Sequence, residues 1–113
     1  DIIKNARLLF DGNERFTTRD ATFFKYVQSF QHNFKFDKPG IHAYSFSLDP
    51  TKHQPSGACN MSRVSNIQLE IELSESPPSV TNTSAYKFNA YVYAVNYNIL
   101  RITSGMAGTV FAN

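Results

Sequence analysis

The stretch YKFNAYVYAVNYNILRITSGMAGTVFAN, Tyr86 to Asn113, decides the fold of this chain. Its first part alternates. Tyr86, Phe88, Ala90, Val92 and Ala94 fall on one side of an extended backbone, and Tyr91, Tyr93, Val95 and Tyr97 on the other. Tyr, Val, Phe and Ile suit a pleated, half-buried surface. The spacing predicts a strand with apolar groups on both faces, one covered by its own core and the other by something else. Asn96 and Asn98 interrupt the pattern as bend or bulge residues, and Ile99, Leu100 and Ile102 resume it. Ser104 to Gly108 break it again before a last strand-like run, Thr109 to Ala112. The uninterrupted apolar run, Ala90 to Val95, is far shorter than the ~20 residues that cross a bilayer, so no membrane insertion is expected.

Upstream, Ile67 to Leu73 alternates most cleanly, with Ile67, Leu69, Ile71 and Leu73 inward and Gln68, Glu70 and Glu72 outward. A slip of one residue would bury the two carboxylates, which sets the register. Asn5 to Phe10 reads as a strand with Ala6, Leu8 and Phe10 on one face. Asp11-Gly12 is a type I′ turn signal, with Asn13 to Phe16 returning as a short hairpin arm or a looser loop. Phe23, Phe24, Val27 and Phe30 then fall at helical spacing, with Asp20 or Thr18 as N-cap. This predicts a short helix from about Ala21 to Gln28; a third strand is the alternative. Ile41 to Leu48 reads as a strand, closed by Asp49-Pro50. Ser74 to Ser84 is a polar loop in which Pro77-Pro78 excludes a central strand. Four to six strands, one short helix and unequal connections favour a Greek-key sandwich.

The 113 residues make at most one small domain. Hydrophobic residues are 42% and charged residues 18%, with ten Phe and six Tyr, which excludes a disordered chain and suits an all-β core. The net charge is +2, and the Lys and Arg are scattered, so no basic stripe argues for direct nucleic-acid binding. The single cysteine, Cys59, closes no disulfide within the chain and reads as a small buried apolar group. Asp1 to Phe10 lacks the order of a signal peptide. The chain opens on Asp1 in mid-pattern, and a fragment of a longer polypeptide, residues 1–113, is expected.

No reactive constellation stands out. His32, His42 and His53 share no metal-ligand spacing, so neither metal nor cofactor is expected. His42, on an apolar face, reads as a satisfied core residue. Glu70 and Glu72 point the same way, as a catalytic pair would, but an outward face makes them ordinary solvated charges. Gly105 to Gly108 lacks the Lys and following helix of a phosphate loop. Asn60-Met61-Ser62 and Asn82-Thr83-Ser84 fit the glycosylation tripeptide, which arises by chance and requires secretory passage. No nucleophile has a base at a recognisable spacing, and the chain is not expected to be an enzyme.

Longer runs carry a resemblance. His53 to Gly57 (HQPSG), Cys59 to Arg63 (CNMSR) and Tyr93 to Asn113, in that order, resemble the C-terminal region of the major capsid protein of the large nucleocytoplasmic DNA viruses of eukaryotes. Asp11 to Phe16 and Tyr26 to Gln28 also look like family positions, whereas Ser29, Asn33 and Ala107 depart from the pattern. The resemblance implies a partial jelly-roll β-sandwich, the later part of the second roll of a double jelly roll. It implies a structural component of an icosahedral capsid, a trimeric capsomer subunit that meets neighbouring capsomers and other capsid proteins. The virion, assembled in host cytoplasm, is then the location. Tyr91, Tyr93 and Tyr97 are the contact residues expected from strand parity. A jelly-roll carbohydrate-binding module, with exposed Tyr stacked on sugar rings, is the alternative. An oxygenase or cupin stands third, without the His-x-His or His-x-Asp pair it needs. Made alone, the piece is expected to associate or aggregate through open sheet edges.

Overall fold

Asp11 and Gly12 both take positive φ, 52° and 81°, as a type I′ turn demands. The turn joins β1 (Ile3–Phe10) to β2 (Asn13–Glu14), with Leu9 opposite Glu14 and Phe10 opposite Asn13. The computed structural model describes residues 2–36, 38, 40–74 and 88–111. They fall in two units, Asp1–Thr83 and Ser84–Asn113, each with its own sheet.

In the first unit β4 (Ile67–Leu73) runs antiparallel along one whole edge of β1, from Ile3 opposite Leu73 to Phe10 opposite Ile67. The other edge of β1 takes β2 at one end and β3 (Arg19–Asp20) at the other. β1 starts two residues before the sequence pattern indicates, across a register shift between Ile3 and Asn5, the mark of a β-bulge. The pairing puts Ala6, Leu8 and Phe10 on one face with Ile71, Leu69 and Ile67, and Asn5 and Arg7 on the other with Glu72 and Glu70. The hairpin turn also fixes the entry to β4. Asp11 N–H donates to Asn66 O at 2.8 Å, and Asn66 N–H donates to Asp11 Oδ1 at 2.8 Å.

The predicted helix is present, with a different register. Asp20 Oδ1 accepts from Thr22 N–H at 3.1 Å, so Asp20 rather than Thr18 supplies the first turn's acceptor. A π turn, Phe23–Val27, runs into α1 (Gln28–Gln31), and Gln28 N–H bonds Phe23 O five residues back. The extra residue in the turn rotates the downstream side chains about the helix axis. Ala21, Phe24 and Gln28 become the buried positions, while Val27 is exposed and Phe30 is 87% exposed. The expected core stripe therefore keeps Phe24 and loses Val27 and Phe30.

The expected strand Ile41 to Leu48 is corrected. This run is irregular, bends at residues 46–48 and joins no ladder, because its amides go elsewhere. Ala43 N–H donates to Phe24 O at 3.2 Å and Ser45 N–H to Gln28 Oε1 at 3.1 Å. The run's rings complete an aromatic cluster. Phe16 lies 4.8 Å from Tyr44 and 5.6 Å from Phe24 between centroids, and Phe46 lies 5.0 Å from Tyr44 and 6.2 Å from Phe10. Each such pair adds about 0.5–1.5 kcal/mol beyond area burial. The next loop doubles back on the run: Leu48 N–H reaches Ser56 O at 3.4 Å, and Ser56 Oγ accepts from Asp49 N–H at 3.0 Å. Gly57, at φ 135°, then passes so close that a Cβ there would lie 3.3 Å from Phe46 O.

In the second unit β5 (Leu100–Thr103) and β6 (Met106–Thr109) form a hairpin. Its turn, Ser104-Gly105, repeats the positive pair at 52° and 78°. The expected break at Ser104 to Gly108 is thus a two-residue turn followed at once by a strand, and the last strand ends at Thr109. Asn98 is not a bulge residue. Its Oδ1 accepts from Phe111 N–H at 3.0 Å and its Nδ2 donates to Phe111 O at 2.9 Å, beside the Val110 N–H to Ile99 O bond at 2.9 Å. The carboxamide stands in for a peptide group and adds a rung to the ladder. Residues 88–99 form no ladder, so the expected strand across Tyr91 to Val95 is corrected too. Alternation describes the faces of a chain and says nothing about whether a neighbour meets its edge. Tyr86, Pro77, Pro78, Ala112 and most of the polar loop lie outside the described residues.

Gly57→Ala is expected to cost about 1–3 kcal/mol, since it meets both an unfavourable φ and a backbone carbonyl; a lowered urea midpoint of the full-length protein checks this. Asn98→Ala is expected to speed amide exchange at Phe111 and Val110 about fivefold or more, from the loss of two bonds worth about 0.5–1.5 kcal/mol each, with β1 and β4 unchanged.

Candidate functional site

Charged groups gather on one face of the first unit's sheet. Arg7 Nη1 meets Glu14 Oε1 at 2.7 Å while its Nε holds Glu70 Oε2. Both bonds raise the Arg7 pKa, the one to Glu70 more. Glu72 accepts from Asn5 Nδ2 at 2.7 Å and faces Lys4 Nζ at 3.4 Å. The Asn5 bond first, and Lys4 next, hold its carboxyl below the usual carboxylate range. The two acids expected to be merely solvated are therefore cross-strand partners of β1. A general acid needs the opposite tuning to that of Glu72, a raised pKa, and Glu70 is engaged by the Arg7 guanidinium.

The remaining polar groups hold loops. Asp49 Oδ1 accepts from Thr51 Oγ1 at 2.7 Å and from Thr51 N–H at 3.2 Å; the Thr51 side-chain bond leads the forces that lower its pKa. His32 Nδ1 lies 3.0 Å from Leu48 O, His42 has its ring nitrogens enclosed, and His53 is exposed. Among the described residues no three His, Cys, Asp or Glu side chains are placed to hold a metal ion. Cys59 is a half-buried free thiol. Asn60 is exposed and caps the short helical turn Met61–Arg63, its Oδ1 accepting from Ser62 N–H at 3.2 Å and from the Ser62 hydroxyl. Asn82 lies outside the described residues. Among the described residues no helix is long and apolar enough to cross a membrane.

What the chain presents most is apolar surface. On β4, Ile67, Leu69, Ile71 and Leu73 are the inward set of the sequence pattern, yet all four are exposed, Leu69 at 49%. Ala6 on β1 is buried, and the β4 side of the same face is bare. The π turn turns Tyr26, Val27 and Phe30 to solvent. In the second unit Tyr91 is 76% exposed, Tyr93 87% and Tyr97 44%, with Leu100, Ile102 and Met106 exposed on the hairpin. In each unit, exposed apolar rows of this kind are candidates for association. Three positions with clear structural roles escaped the sequence reading. Gln28 is a buried polar residue whose carboxamide holds Ser45, Arg7 bridges two acids, and Asn98 closes a ladder. Arg7 was findable from the outward acids of β4; Gln28 gave no signal, because the π turn that buries it leaves no mark in the pattern.

The chain is similar to known proteins over nearly all its length. Residues 1–108 match the family model described as large eukaryotic DNA virus major capsid protein. The major capsid protein of Phaeocystis pouchetii virus is 45% identical over 96% of this chain, and that of Chrysochromulina ericina virus 44% over 98%. That of Paramecium bursaria Chlorella virus 1 is 36% identical over 99%. The chain spans 20%, 18% and 29% of those relatives, about a fifth to under a third of their length. Two solved structures share the fold. The PBCV-1 VP54 crystal structure, fitted into a reconstruction of the virophage Sputnik, has a TM-score of 0.77 at 32% identity, covering 99% of this chain and 30% of the other. A quasi-atomic model of the PBCV-1 capsid has 0.75 at 35%, with the same coverage. The relatives bear capsid names, and the carbohydrate-binding alternative draws no support from them. With its all-β, partial jelly-roll architecture, the chain belongs to the family of major capsid proteins of the large eukaryotic DNA viruses.

Proposed function

We propose that this chain is the later part of the second roll of a double jelly roll, and that the protein carrying it is a structural, non-enzymatic component of an icosahedral capsid. Its work is done by buried area rather than by a reactive group. The observation that carries this reading is the bare apolar set on β4, together with the exposed Tyr91 and Tyr93. A sheet whose inward residues stay wet within one chain segment is completed by contacts beyond that segment. The similarity to a PBCV-1 capsid model supports self-association into trimeric capsomers, tiling against neighbouring capsomers and other capsid proteins, and location in the virion after assembly in host cytoplasm. Tyr91, Tyr93 and Tyr97 are the proposed subunit contacts, since Tyr is among the side chains that dominate such interfaces. No direct nucleic-acid contact is proposed. Use of Asn60 or Asn82 as a glycan acceptor would follow only if the protein enters the secretory pathway.

Sedimentation of the full-length protein tests this. The unaltered protein is expected to be a trimer, and joint replacement of Tyr91, Tyr93 and Tyr97 by Ser is expected to weaken it at least tenfold, about 1.4 kcal/mol, with far-ultraviolet dichroism unchanged. A monomeric parent protein overturns the capsomer reading. A triple variant that stays trimeric at every dilution overturns the tyrosine contacts alone.

A further inference from the structure

His42 sits in a segment of the first unit that is fastened to the helix rather than to a strand. Three hydrogen bonds strap residues 41–48 there: Ala43 N–H to Phe24 O, Ser45 N–H to Gln28 Oε1, and Leu48 O with the His32 ring, a second titratable group that His42→Gln leaves in place. Both ring nitrogens of His42 are closed off from water, with the Gly40 backbone as a hydrogen-bonding neighbour. Lys25 follows Phe24, the residue that anchors Ala43, and is a cation acting on the imidazole. Residues 40–48 hold no other charged side chain.

We propose that His42 is an acid-sensitive latch: while its ring is neutral the 41–48 strap stays seated on the helix, and once the ring is protonated the strap lifts off while the β1–β4 ladder remains closed. The neutral ring fits the enclosed site. An imidazolium there loses its hydration and gains a like charge at Lys25, and such a group is relieved by moving into water. Desolvation depresses the pKa below its ordinary 6.5; the Gly40 backbone bond, next in size, opposes it, and Lys25 adds a smaller push downward. A depressed value in the seated state means that the lifted state binds the proton more readily. The strap's stability is therefore full above pH 6.5 and falls away as the pH drops through the depressed value. The ladder does not share this window. Its ion pairs use Arg7, whose pKa is raised, and Glu72, whose pKa is lowered, so both keep their charge through mild acid.

Hydrogen exchange by mass spectrometry on the full-length protein, at about pH 7.5 and about pH 5.5 and corrected for intrinsic rates, tests the latch. The peptide over residues 41–48 is expected to open up to about tenfold more at about pH 5.5, the ceiling set by the one unit between that pH and the ordinary 6.5. The peptides over β1 and β4 are expected to hold. Neutral His42→Gln should remove the difference, and Lys25→Met should shrink it. Equal acceleration in all three peptides, no acceleration in any, or persistence in His42→Gln overturns the latch. If His42→Gln does not fold, His42→Asn takes its place, and His32→Gln, which keeps His42, is expected to retain the difference.

Discussion

The pairing of β1 with β4 is the constraint on which the first unit depends. It joins positions as far apart as Ile3 and Leu73, so the chain between them must be gathered before a single rung forms. Closing so long a loop is entropically unfavourable. The offset comes from both faces at once: aliphatic side chains meet on one, and Arg7, Lys4 and Asn5 meet Glu70 and Glu72 on the other. Exposed ion pairs contribute little stability. Their larger effect is on register, because a one-residue slip moves both acids to the apolar side. The Asp11-Gly12 turn and the Asp11–Asn66 exchange then fix the end of the ladder where Phe10 stacks on Phe46, while the helix follows β3 at the other end.

This organisation accounts together for how the polar side chains are used and for the abundance of apolar surface among the described residues. The polar side chains serve backbone purposes: Asp49 closes a loop, Asn60 caps a turn, Gln28 holds a strap and Asn98 finishes a hairpin. Few are left to converge on a substrate. The aliphatic row of β4 and the tyrosines of 91–97, by contrast, have shape and area without a cover in this chain. That allocation fits the proposed role in a tiled shell, whereas an enzyme needs the reverse.

Much of the fold was legible where a local rule suffices. Asp-Gly names its own turn, and the alternation in Ile67 to Leu73 gives a strand with the observed bounds. The helix was visible from its phenylalanines and from Asp20. Illegible were the features decided by a partner. Residues 41–48 and 91–95 alternate like strands, yet their edges meet no strand in the described residues. The π turn was hidden because a single added residue changes which positions face inward without changing composition. Ser104-Gly105 was misjudged as a break because a Gly-rich stretch reads alike whether it ends a strand or reverses one. Family membership was legible from long ordered runs such as HQPSG, whereas the tyrosine contacts rested on strand parity in a segment that forms no strand here.

Gly12 and Gly57 both hold positive φ, but they are constrained in different ways. Nothing lies within 4 Å of where a Cβ of Gly12 would point, so its demand is conformational and an Asn can meet it. At Gly57 the obstacle is the carbonyl oxygen of Phe46, which belongs to no side chain. Trimming position 46 therefore leaves that oxygen where it is, and no single compensating exchange elsewhere clears the space. Genetically, position 57 should lack suppressors: lineages can rebuild the loop's outer sequence freely, but must inherit the bare α-carbon at its root.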